Sequence, residues 1–498
     1  MIFNKDTDFV LTPIGLYCFR LIIFAGMDQE IVAKIRRMAG ELLNQEVTAI
    51  RPLPPSGSNR QYFRISGGGQ SIIAAFNPNQ RENEAFVHLG KVFSKKQLNV
   101  PEVLAYHKDE QIYFLQDLGD DILFNHIEKN NNSPAGDLKK LLETALRQLL
   151  RFQTETPGLI DFSLCYPRQA FDRQSIQWDL NYFKYNFLNL AGIPYDEQKL
   201  EEDFRKMIDL LLQAPADYFL YRDFQSRNVM IHQNELYFID YQGGRKGPLQ
   251  YDVASFLFQV RANFPWALRR ELLDVYLDEL SSGDRKQKAA FMEHFPAFVQ
   301  LRLLQVLGAY GFRGLFEKKA HFLKSIPWAA KLLEELPEHY PPEAELPELE
   351  RIFAAIIQKY RFEEMQPEGK LKIRISSFSY KKGGIPVDLS GNGGGHVFDC
   401  RALPNPGRIE SLKDFTGKDR IIIDYLEEQT AVEEFLENVY HIVEQSAENY
   451  RQRNFTDLMV NFGCTGGQHR SVYCAEKLKQ HLEKKFDVAI ELSHNEFK

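Results

Sequence analysis

The spacing of apolar residues divides the first two thirds of the chain into a short mixed segment and a long helical one. Helical and strand-like spacings alternate as far as Gln116, and helical spacing dominates from Leu138 to Tyr360. Between Tyr218 and Tyr241, two apolar runs flank a polar loop. The elements predicted in the first segment are a helix at Ile31–Leu43, strands within Ile50–Ala75, a helix at Arg81–Lys96, and strands at Val103–Tyr106 and Ile112–Gln116. The pattern predicts a small mixed lobe followed by a larger helical lobe.

The pattern changes after Pro341-Pro342 and the polar stretch 364–370, which we interpret as linkers. A glycine-dense stretch at 383–395 is followed by alternating strand and helix signals. The predicted elements are strands at Leu371–Phe378, Ile421–Ile423 and Leu458–Gly463, and helices at Val432–Gln452 and Ser471–Lys485. Residues 371–498 therefore form a predicted α/β domain of ordinary size.

Composition adds constraints on the environment and on partners. The chain has 498 residues, of which 44% are apolar, and this length predicts several cores. A net charge of -7 gives no general electrostatic case for nucleic acid or an anionic membrane as partner. Five cysteines, with no closely spaced pair, argue against a disulfide framework and a structural zinc site, and favour a reducing cytoplasm.

The first 26 residues are expected to be a leader, and Met27 is a candidate start. The apolar run from Phe9 to Met27 is interrupted by Arg20 and is short for a membrane span. It also has no clear cleavage site for a signal peptide.

The strongest chemical signal is the polar loop that follows Tyr221. Asp223 is followed five residues later by Asn228, and Asp240 comes twelve residues after that, at the end of an apolar strand. Phosphoryl transfer needs a carboxylate that orients the acceptor hydroxyl, which would be Asp223. It also needs oxygen ligands for Mg²⁺, which would be Asn228 and Asp240. The alternative is a loop in which these side chains only cap turns.

These residues and those after them resemble the aminoglycoside-phosphotransferase-like kinases. The resemblance is greatest to the N-acetylmuramate/N-acetylglucosamine anomeric kinases of cell-wall recycling, and it spans Met27 to Tyr360. It implies an α+β protein-kinase-like bilobal domain at 27–363, with an N-lobe at 27–115 and a C-lobe at 116–363, followed by the smaller α/β domain. It also implies ATP and Mg²⁺ as cofactors. The further site residues that it implies are Arg222 in the catalytic loop, Asp252 as its structural brace, and, for nucleotide binding, Ser56, Gly57, Ser58, Asn59, Arg60, Arg64, Gln116 and Leu118.

Two departures from that family affect the interpretation. Tyr221 stands where relatives commonly have His, and the strand Ser71–Phe76 lacks the Lys that many kinases direct to the nucleotide phosphates. We expect Arg64 or Arg60 to supply the missing cation. The alternative is a pseudokinase that binds nucleotide without turnover.

The acceptor is expected to bind beside the aromatic segment that begins at Trp178. Trp178, Asp179 and Tyr182 offer a ring surface and polar groups to a sugar. An ordinary helix with buried aromatic residues is the alternative interpretation.

A second chemical signal lies between the apolar strand at 458–463 and the helix at 471–485. Main-chain N–H groups at the helix N-terminus can converge on an anion there, with Arg470 adding further donors. The Cys464-to-Arg470 spacing also matches that of cysteine-dependent phosphatases, although Asp399 and Asp424 are the only nearby candidates for a general acid. The predicted anion-binding residues are Cys464, Thr465, Gly466, Gly467, His469, Arg470 and Ser471.

The segment from Lys372 to about Ser493 resembles the C-terminal domain of the RNase adapter RapZ. The resemblance is carried by Gly384-Ile385-Pro386, the run from His396 to Arg401, Leu403-Pro404-Asn405-Pro406 and the Gly463–Ser471 loop. It implies sensing of an amino-sugar metabolite and binding of small RNAs. RNA is the weaker expectation, because residues 371–498 contain 17 Lys and Arg against 19 Asp and Glu, and no Walker-type P-loop occurs.

The sequence therefore predicts a cytoplasmic ATP- and Mg²⁺-dependent kinase that acts on a hydroxyl of an amino sugar. Its C-terminal domain is predicted to bind a phosphosugar or nucleotide sugar, and no membrane partner is expected. The alternatives are a non-catalytic nucleotide and metabolite sensor acting as a regulatory adapter, and a C-terminal phosphatase.

Overall fold

The computed structural model describes residues 29–54, 60–130, 134–341, 344–361, 371–386, 388, 395–452 and 455–496. Its strands are β1 (Val47–Pro52), β2 (Gln61–Gly67), β3 (Gln70–Phe76), β4 (Val103–His107), β5 (Ile112–Gln116), β6 (Tyr218–Leu220), β7 (Val229–His232), β8 (Glu235–Phe238), β9 (Arg245–Gly247), β10 (Lys372–Ser379), β11 (Gly395–Asp399), β12 (Asp457–Cys464) and β13 (Ala489–His494).

The helices begin with α1 at residues 29–43. They continue with α2 (Gln80–Lys95), α3 (Leu123–Lys129), α4 (Gly136–Glu155), α5 (Arg173–Phe183), α6 (Asn189–Ala191), α7 (Glu197–Leu211), α8 (Gln250–Leu257), α9 (Trp266–Ser281), α10 (Arg285–Met292), α11 (Phe295–Tyr310), α12 (Ala320–Leu323), α13 (Ile326–His339), α14 (Pro347–Lys359), α15 (Arg420–Glu427), α16 (Thr430–Gln452) and α17 (Arg470–Lys485). No helix in these described ranges is long and apolar enough to cross a membrane.

Two compact units account for these elements. The first comprises the described residues up to Asn181, together with Tyr195–Gln305 and Glu335–Arg351. The second comprises Tyr182–Pro194, Val306–Glu334 and the described residues from Ile352 onward. The domain boundaries predicted from the sequence stay predictions.

The first unit contains a five-stranded antiparallel sheet in the order β1-β2-β3-β5-β4. Ile65 on β2 is paired with Ile72 on β3, and Ala74 on β3 with Phe114 on β5. These side chains form a core with Ile35 and its neighbours on α1, because alternate strand residues and one helix stripe are apolar.

A predominantly helical part follows in the same unit and carries two short antiparallel ribbons, β6 with β9 and β7 with β8. Fully buried aromatic rings pack around the ribbons. Phe152 contacts the ring of Phe93 edge-on at 4.8 Å and that of Tyr221 at 5.6 Å between centroids. This packing fixes the segment from Tyr221 to Tyr241, which the sequence predicts to carry the chemistry.

The second unit contains a fully parallel four-stranded sheet in the order β11-β12-β10-β13. The ends of three strands lie side by side, because Ser379 is paired with Cys464 and Asp399 with Gly463. In parallel sheets, this carboxyl edge is where ligands bind.

One predicted strand of that domain is wrong. Residues 421–423 belong to α15, in which Ile422 and Leu426 are buried whereas Ile421 is 45% exposed. Ile422 and Leu426 are about one helical turn apart, so a helix buries both side chains on one face. That burial outweighs the preference of three successive β-branched residues for a strand.

Candidate active site and anion loop

Asp252 fixes the start of the catalytic loop. It is fully buried in α8 and accepts hydrogen bonds from the main-chain N–H groups of Tyr221 at 2.6 Å and Arg222 at 2.9 Å. Burial raises the pKa of Asp252 to about 7, whereas these donors lower it. The contact is made by the main chain and not by the Arg222 guanidinium group, so Asp252 holds the backbone, including Arg222 at its positive φ of 84°.

The guanidinium group of Arg222 is instead paired with Asp179. Its two terminal nitrogens lie 2.7 and 2.5 Å from the two carboxylate oxygens of Asp179, in a bidentate pair. It also lies over the ring of Tyr251, 5.0 Å from the centroid. Both oxygens of Asp179 are therefore engaged within the protein, and a role in sugar binding stays a prediction.

Asp223, Asn228 and Asp240 come together as the spacing predicts. Nδ2 of Asn228 donates to the main-chain oxygen of Asp223 at 2.8 Å and to Oδ2 of Asp240 at 3.3 Å. Gln242 donates to Oδ1 of Asp240 at 2.8 Å. The hydroxyl of Tyr221 donates to the main-chain oxygen of Ile239 at 2.8 Å, and thereby joins the loop to the residue before Asp240.

The two carboxylates have opposite electrostatic surroundings. Removal from solvent raises the pKa of Asp240, and the charge of Asp223 raises it further. At Asp223, partial removal from solvent would raise the pKa, but nearby arginines, with Arg302 foremost, lower it below its ordinary value. Asp240 is thus a half-buried carboxylate that lacks a strong counter-charge.

These side chains suit a divalent cation. Asp240 and the Oδ1 atom of Asn228 are oxygen donors of the kind that Mg²⁺ prefers, and a cation would relieve the repulsion between Asp240 and Asp223. Within the described ranges, no group of three or more His, Cys, Asp and Glu could hold a metal by itself. A site here would therefore need the Asn228 amide and oxygen atoms from the nucleotide.

The predicted nucleotide loop lies mostly outside the described residues, which exclude Ser56, Gly57, Ser58 and Asn59. Arg60 is described and is 4% exposed, and its Nη2 atom is 2.9 Å from Oε1 of Glu82 on α2. Kinases pair their phosphate-binding Lys with a Glu on the helix after the third strand, where α2 lies. The Arg60–Glu82 pair is of the same kind, and the charge of Arg60 lowers the pKa of Asp240, while a contact of Arg60 with the nucleotide stays a prediction.

Arg64 is engaged elsewhere. It contacts Asp117 at 2.7 Å and Asp120 at 2.9 Å, and donates to the main-chain oxygen of Gly119 at 3.0 Å. These contacts brace the turn after β5, so Arg60 is the better candidate for the missing cation.

Gln116 and Leu118, the predicted hinge, lie at the end of β5 and just after it. The N–H of Gln116 donates to the main-chain oxygen of Glu102 at 3.0 Å, and the ring Nδ1 of His232 is 3.1 Å from the main-chain oxygen of Leu118. Their contact with an adenine edge stays a prediction.

Trp178 and Tyr182 occupy different units. Trp178 is 46% exposed in α5, and the Arg168 guanidinium group lies over its ring at 5.4 Å. Tyr182 belongs to the second unit and is half-buried, and burial raises its pKa. Trp178 is thus the predicted acceptor residue with an accessible aromatic surface.

The C-terminal loop connects β12 to α17 at the carboxyl edge of the parallel sheet. The Sγ atom of Cys464 accepts the N–H of Gly467 at 3.2 Å and lies 3.1 Å from the Ser471 hydroxyl. The main-chain oxygen of Thr465 accepts a hydrogen bond from the Ser379 hydroxyl at 2.8 Å. Gly467 has a φ of 72°, and a side chain there would collide with Glu496, so the tight turn requires glycine.

Arg470 and His469 are buried at the start of α17. Nη1 of Arg470 donates to the main-chain oxygens of Arg401 and Leu403, both at 2.9 Å. Burial lowers the pKa of His469, which favours a neutral ring. Among the described residues, Nε of Arg470 has no hydrogen-bond partner, whereas the His469 ring interacts with main-chain groups of Leu412, Lys413 and Phe415. Gly466 is exposed, and a side chain there would meet open space.

Neither candidate acid of the phosphatase interpretation is suited to donate a proton. Asp399 forms a bidentate pair with Arg401, whose hydrogen bonds lower the pKa of Asp399. Asp424 lies on α15 and is paired with Arg420 at 2.6 Å. This loop is therefore better suited to binding an anion than to cleaving a phosphomonoester.

Three contributors to these sites were not predicted from the sequence: Glu82, Gln242 and Arg302. Glu82 could have been found as an acid on the helix after β3, where kinases carry the partner of their Lys. Gln242 and Arg302 have no motif of their own.

Two family models match the regions of the chain that contain these residues. Residues 49–291 match the family model of the phosphotransferase enzyme family. Residues 371–498 match the model of the RapZ C-terminal domain. The chain therefore carries a domain of the phosphotransferase enzyme family followed by a RapZ C-terminal domain, and both resemblances and the fold class are confirmed. The narrower assignment to anomeric sugar kinases stays a prediction.

Individual relatives match only parts of the chain. A nucleotide-binding protein of Thermotoga sp. (strain RQ2) is 41% identical over 123 residues, which are 25% of this chain and 42% of that protein. The chain thus spans less than half the length of this curated relative. An ethanolamine kinase of Plasmodium vivax has a TM-score of 0.44 at 12% identity and covers 58% of this chain and 83% of its own. A thermostable mutant of the aminoglycoside phosphotransferase APH(4)-Ia has a TM-score of 0.40 at 15% identity, with coverages of 64% and 98%.

Proposed function

We propose that this protein is an ATP- and Mg²⁺-dependent kinase that phosphorylates a sugar hydroxyl. The observation that carries the proposal is the Asn228 amide, which bonds both the Asp223 backbone and the Asp240 carboxylate. One hydrogen-bonding group thereby links the backbone of Asp223, the proposed acceptor-orienting residue, to the carboxylate of Asp240, the proposed metal ligand. Phosphoryl transfer depends mostly on such positioning.

Each residue has a defined task in this reaction. Asp223 accepts a hydrogen bond from the acceptor hydroxyl, directs its oxygen at the γ-phosphorus and receives the proton as the new O–P bond forms. The bond between the γ-phosphorus and the β,γ-bridging oxygen breaks at the same time, and ADP leaves. Asn228 and Asp240 hold the cation, which when bound neutralises the β- and γ-phosphates. Arg60, fixed by Glu82, adds positive charge on the nucleotide side.

The acceptor is proposed from the sequence resemblance. That resemblance supports the anomeric hydroxyl of N-acetylmuramate or N-acetylglucosamine as acceptor, in a cytoplasmic cell-wall recycling route. The arginines near Asp223, which are Arg302, Arg222, Arg227 and Arg245, lie among the carboxylates of Asp179, Asp240 and Asp252, so their charge does not select the acceptor.

A sugar panel tests this assignment. The full chain is incubated with Mg-ATP and one sugar at a time, and the products are identified by phosphorus NMR. We expect a sugar 1-phosphate from N-acetylmuramate or N-acetylglucosamine. The matched pair is 1-deoxy- and 6-deoxy-N-acetylglucosamine, of which only the 6-deoxy sugar should react. Product from the 1-deoxy sugar would contradict the anomeric assignment. Nucleotide binding without phosphorylation of any hydroxyl would favour the non-catalytic sensor.

We propose that the C-terminal domain binds a phosphosugar or a nucleotide sugar at the Cys464–Ser471 loop. The proposal is supported by the position of the loop at the N-terminus of α17 and by the Nε atom of Arg470, which has no hydrogen-bond partner among the described residues. RNA binding is less favoured, because the domain is slightly acidic. Titration calorimetry with N-acetylglucosamine 6-phosphate and UDP-N-acetylglucosamine tests the proposal. Absence of heat with both would contradict it.

A further inference from the structure

A buried arginine from outside the catalytic loop lies beside Asp223. Arg302 lies on α11 and is 3% exposed, and its Nη2 atom is 3.7 Å from Oδ1 of Asp223. The Asp223 side chain itself is 39% exposed. The arginine therefore approaches the carboxylate from the protein interior and leaves its other side accessible.

The other contacts of Arg302 come from neutral groups. Its Nη1 atom donates to the Tyr251 hydroxyl at 3.3 Å and to Oε1 of Gln305 at 2.6 Å. Among the described residues, Asp223 is the acidic group within ion-pair distance, and the Nε atom of Arg302 has no hydrogen-bond partner. A buried cation is costly without a counter-charge. Asp223 supplies one within ion-pair distance, and the buried Asp252 adds a second negative charge nearby.

The other charges around Asp223 are engaged differently. Arg222 is paired with Asp179, and Arg245 donates to the main-chain oxygen of Gly243. Arg227 is exposed, and Asp240 repels Asp223. Arg302 is therefore the buried charge directed at the Asp223 carboxylate.

We infer that Arg302 is a positioning residue for phosphoryl transfer: it pairs with Oδ1 of Asp223, holds the carboxylate in place and leaves Oδ2 for the acceptor hydroxyl. Arg302 acts through Asp223 and does not itself contact the reacting atoms. The inference rests on the proposed function of Asp223. It adds a residue from a distant helix to the catalytic machinery, and it predicts that the two side chains act as one unit.

The kinetic test uses the full chain with Mg-ATP and N-acetylglucosamine. Arg302→Met should lower kcat about 10- to 100-fold, because the carboxylate loses its alignment, while the KM for ATP stays within twofold of the parent. Arg302→Lys should recover much of the loss by restoring the charge. In an Asp223→Asn background, Arg302→Met should lower kcat no further. Equal losses of kcat in both backgrounds would overturn the inference.

A double-mutant cycle that measures melting temperatures tests the Arg302–Asp223 pair without requiring any catalytic activity. Arg302→Met should lower the melting temperature more in the parent than in Asp223→Asn, because only the parent is left with an unpaired carboxylate. Arg269→Met is the matched control, since Arg269 is also a buried arginine but lies against Phe258 and Trp266. Its effect on the melting temperature should be the same in both backgrounds. If no acceptor is phosphorylated, the proposed function fails, and this cycle still decides whether the pair exists. If Arg302→Met lowers the melting temperature equally in the parent and in Asp223→Asn, then Arg302 and Asp223 do not form a stabilising pair.

Discussion

At the scale of single residues, the proposed function gives Asp223 and Asp240 different tasks. Their variants should therefore lose different properties, kcat in one case and Mg-ATP affinity in the other. Asp223→Asn should lower kcat by about 10²- to 10⁴-fold and leave Mg-ATP affinity nearly unchanged, because the lost group acts on the acceptor. Asp240→Asn should weaken Mg-ATP binding, because the metal loses a charged ligand. Steady-state kinetics and nucleotide titration check both variants. The reverse pattern would exchange the roles of the two residues.

A second residue-scale prediction concerns which arginine, Arg60 or Arg64, replaces the Lys that many kinases direct to the nucleotide phosphates. Arg60→Met should raise the KM for ATP about tenfold or more, because the charge held by Glu82 on the nucleotide side is lost. Arg64→Met is the matched control, because Arg64 is engaged with Asp117 and Asp120 and should affect stability more than ATP affinity. A larger rise in KM for the Arg64 variant would assign the cation to Arg64.

Sequence spacing was sufficient for some of these residues and not for others. Asp223, Asn228 and Asp240 fall within one loop and ribbon, so their separation along the chain determines their geometry. Glu82 and Arg302 reach the same site from α2 and α11, and only the packing of distant elements brings them there. Asp179 was predicted as a sugar contact, because nothing local shows that Arg222 engages it.

At the scale of elements, two π-helical segments in the second unit pack closely. They span Lys184–Leu188 and Gly311–Phe316. A Cβ atom at Gly311 would lie 1.8 Å from the main-chain oxygen of Asn186. Gly311→Ala should therefore destabilise the protein by about 1–3 kcal/mol. Thermal unfolding checks this, and Gly158→Ala is the control, because its Cβ would meet open space. Equal stability of the two variants would contradict the close packing.

At the β12–α17 loop, anion binding and phosphatase activity can be tested separately. Cys464→Ser should leave binding of N-acetylglucosamine 6-phosphate largely intact, because Sγ accepts the N–H of Gly467 within the protein. p-Nitrophenyl phosphate should not be hydrolysed, since Asp399 is held ionised by Arg401. Calorimetry and a colorimetric assay measure the two properties. Hydrolysis by the parent that disappears in the Ser variant would support the phosphatase alternative.

Elements with regular spacing were the ones predicted well from the sequence. The strand at 112–116 and the long helix ending at Gln452 were confirmed, because alternation and helical spacing each extend over the whole element. Residues 421–423 were predicted as a strand because three successive Ile residues show neither helical nor alternating spacing, and Ile favours strands. The ribbon partner β9 was not predicted, since three residues with two charges carry no apolar signal.

At the scale of the whole molecule, the proposed function places a phosphoryl-transfer site and an anion-binding loop on one chain. A kinase acting on sugars produces a phosphosugar, which is the kind of anion that the C-terminal loop is proposed to bind. The product of one domain is thus of the ligand class that the other domain would recognise. That relation is chemical and requires no particular arrangement of the two domains.

This relation predicts how a phosphosugar should affect the stability of the full chain. N-acetylglucosamine 1-phosphate at about 100 times its Kd should add roughly 2.7 kcal/mol to the free energy of unfolding of the unit that binds it. Arg470→Gln should abolish the resulting rise in melting temperature, while keeping a donor for the main-chain oxygens of Arg401 and Leu403. Asp223→Asn should retain the rise, because the C-terminal loop is unchanged. A rise that survives in the Arg470 variant but disappears in the Asp223 variant would assign product binding to the kinase site, and would contradict sensing by the C-terminal domain.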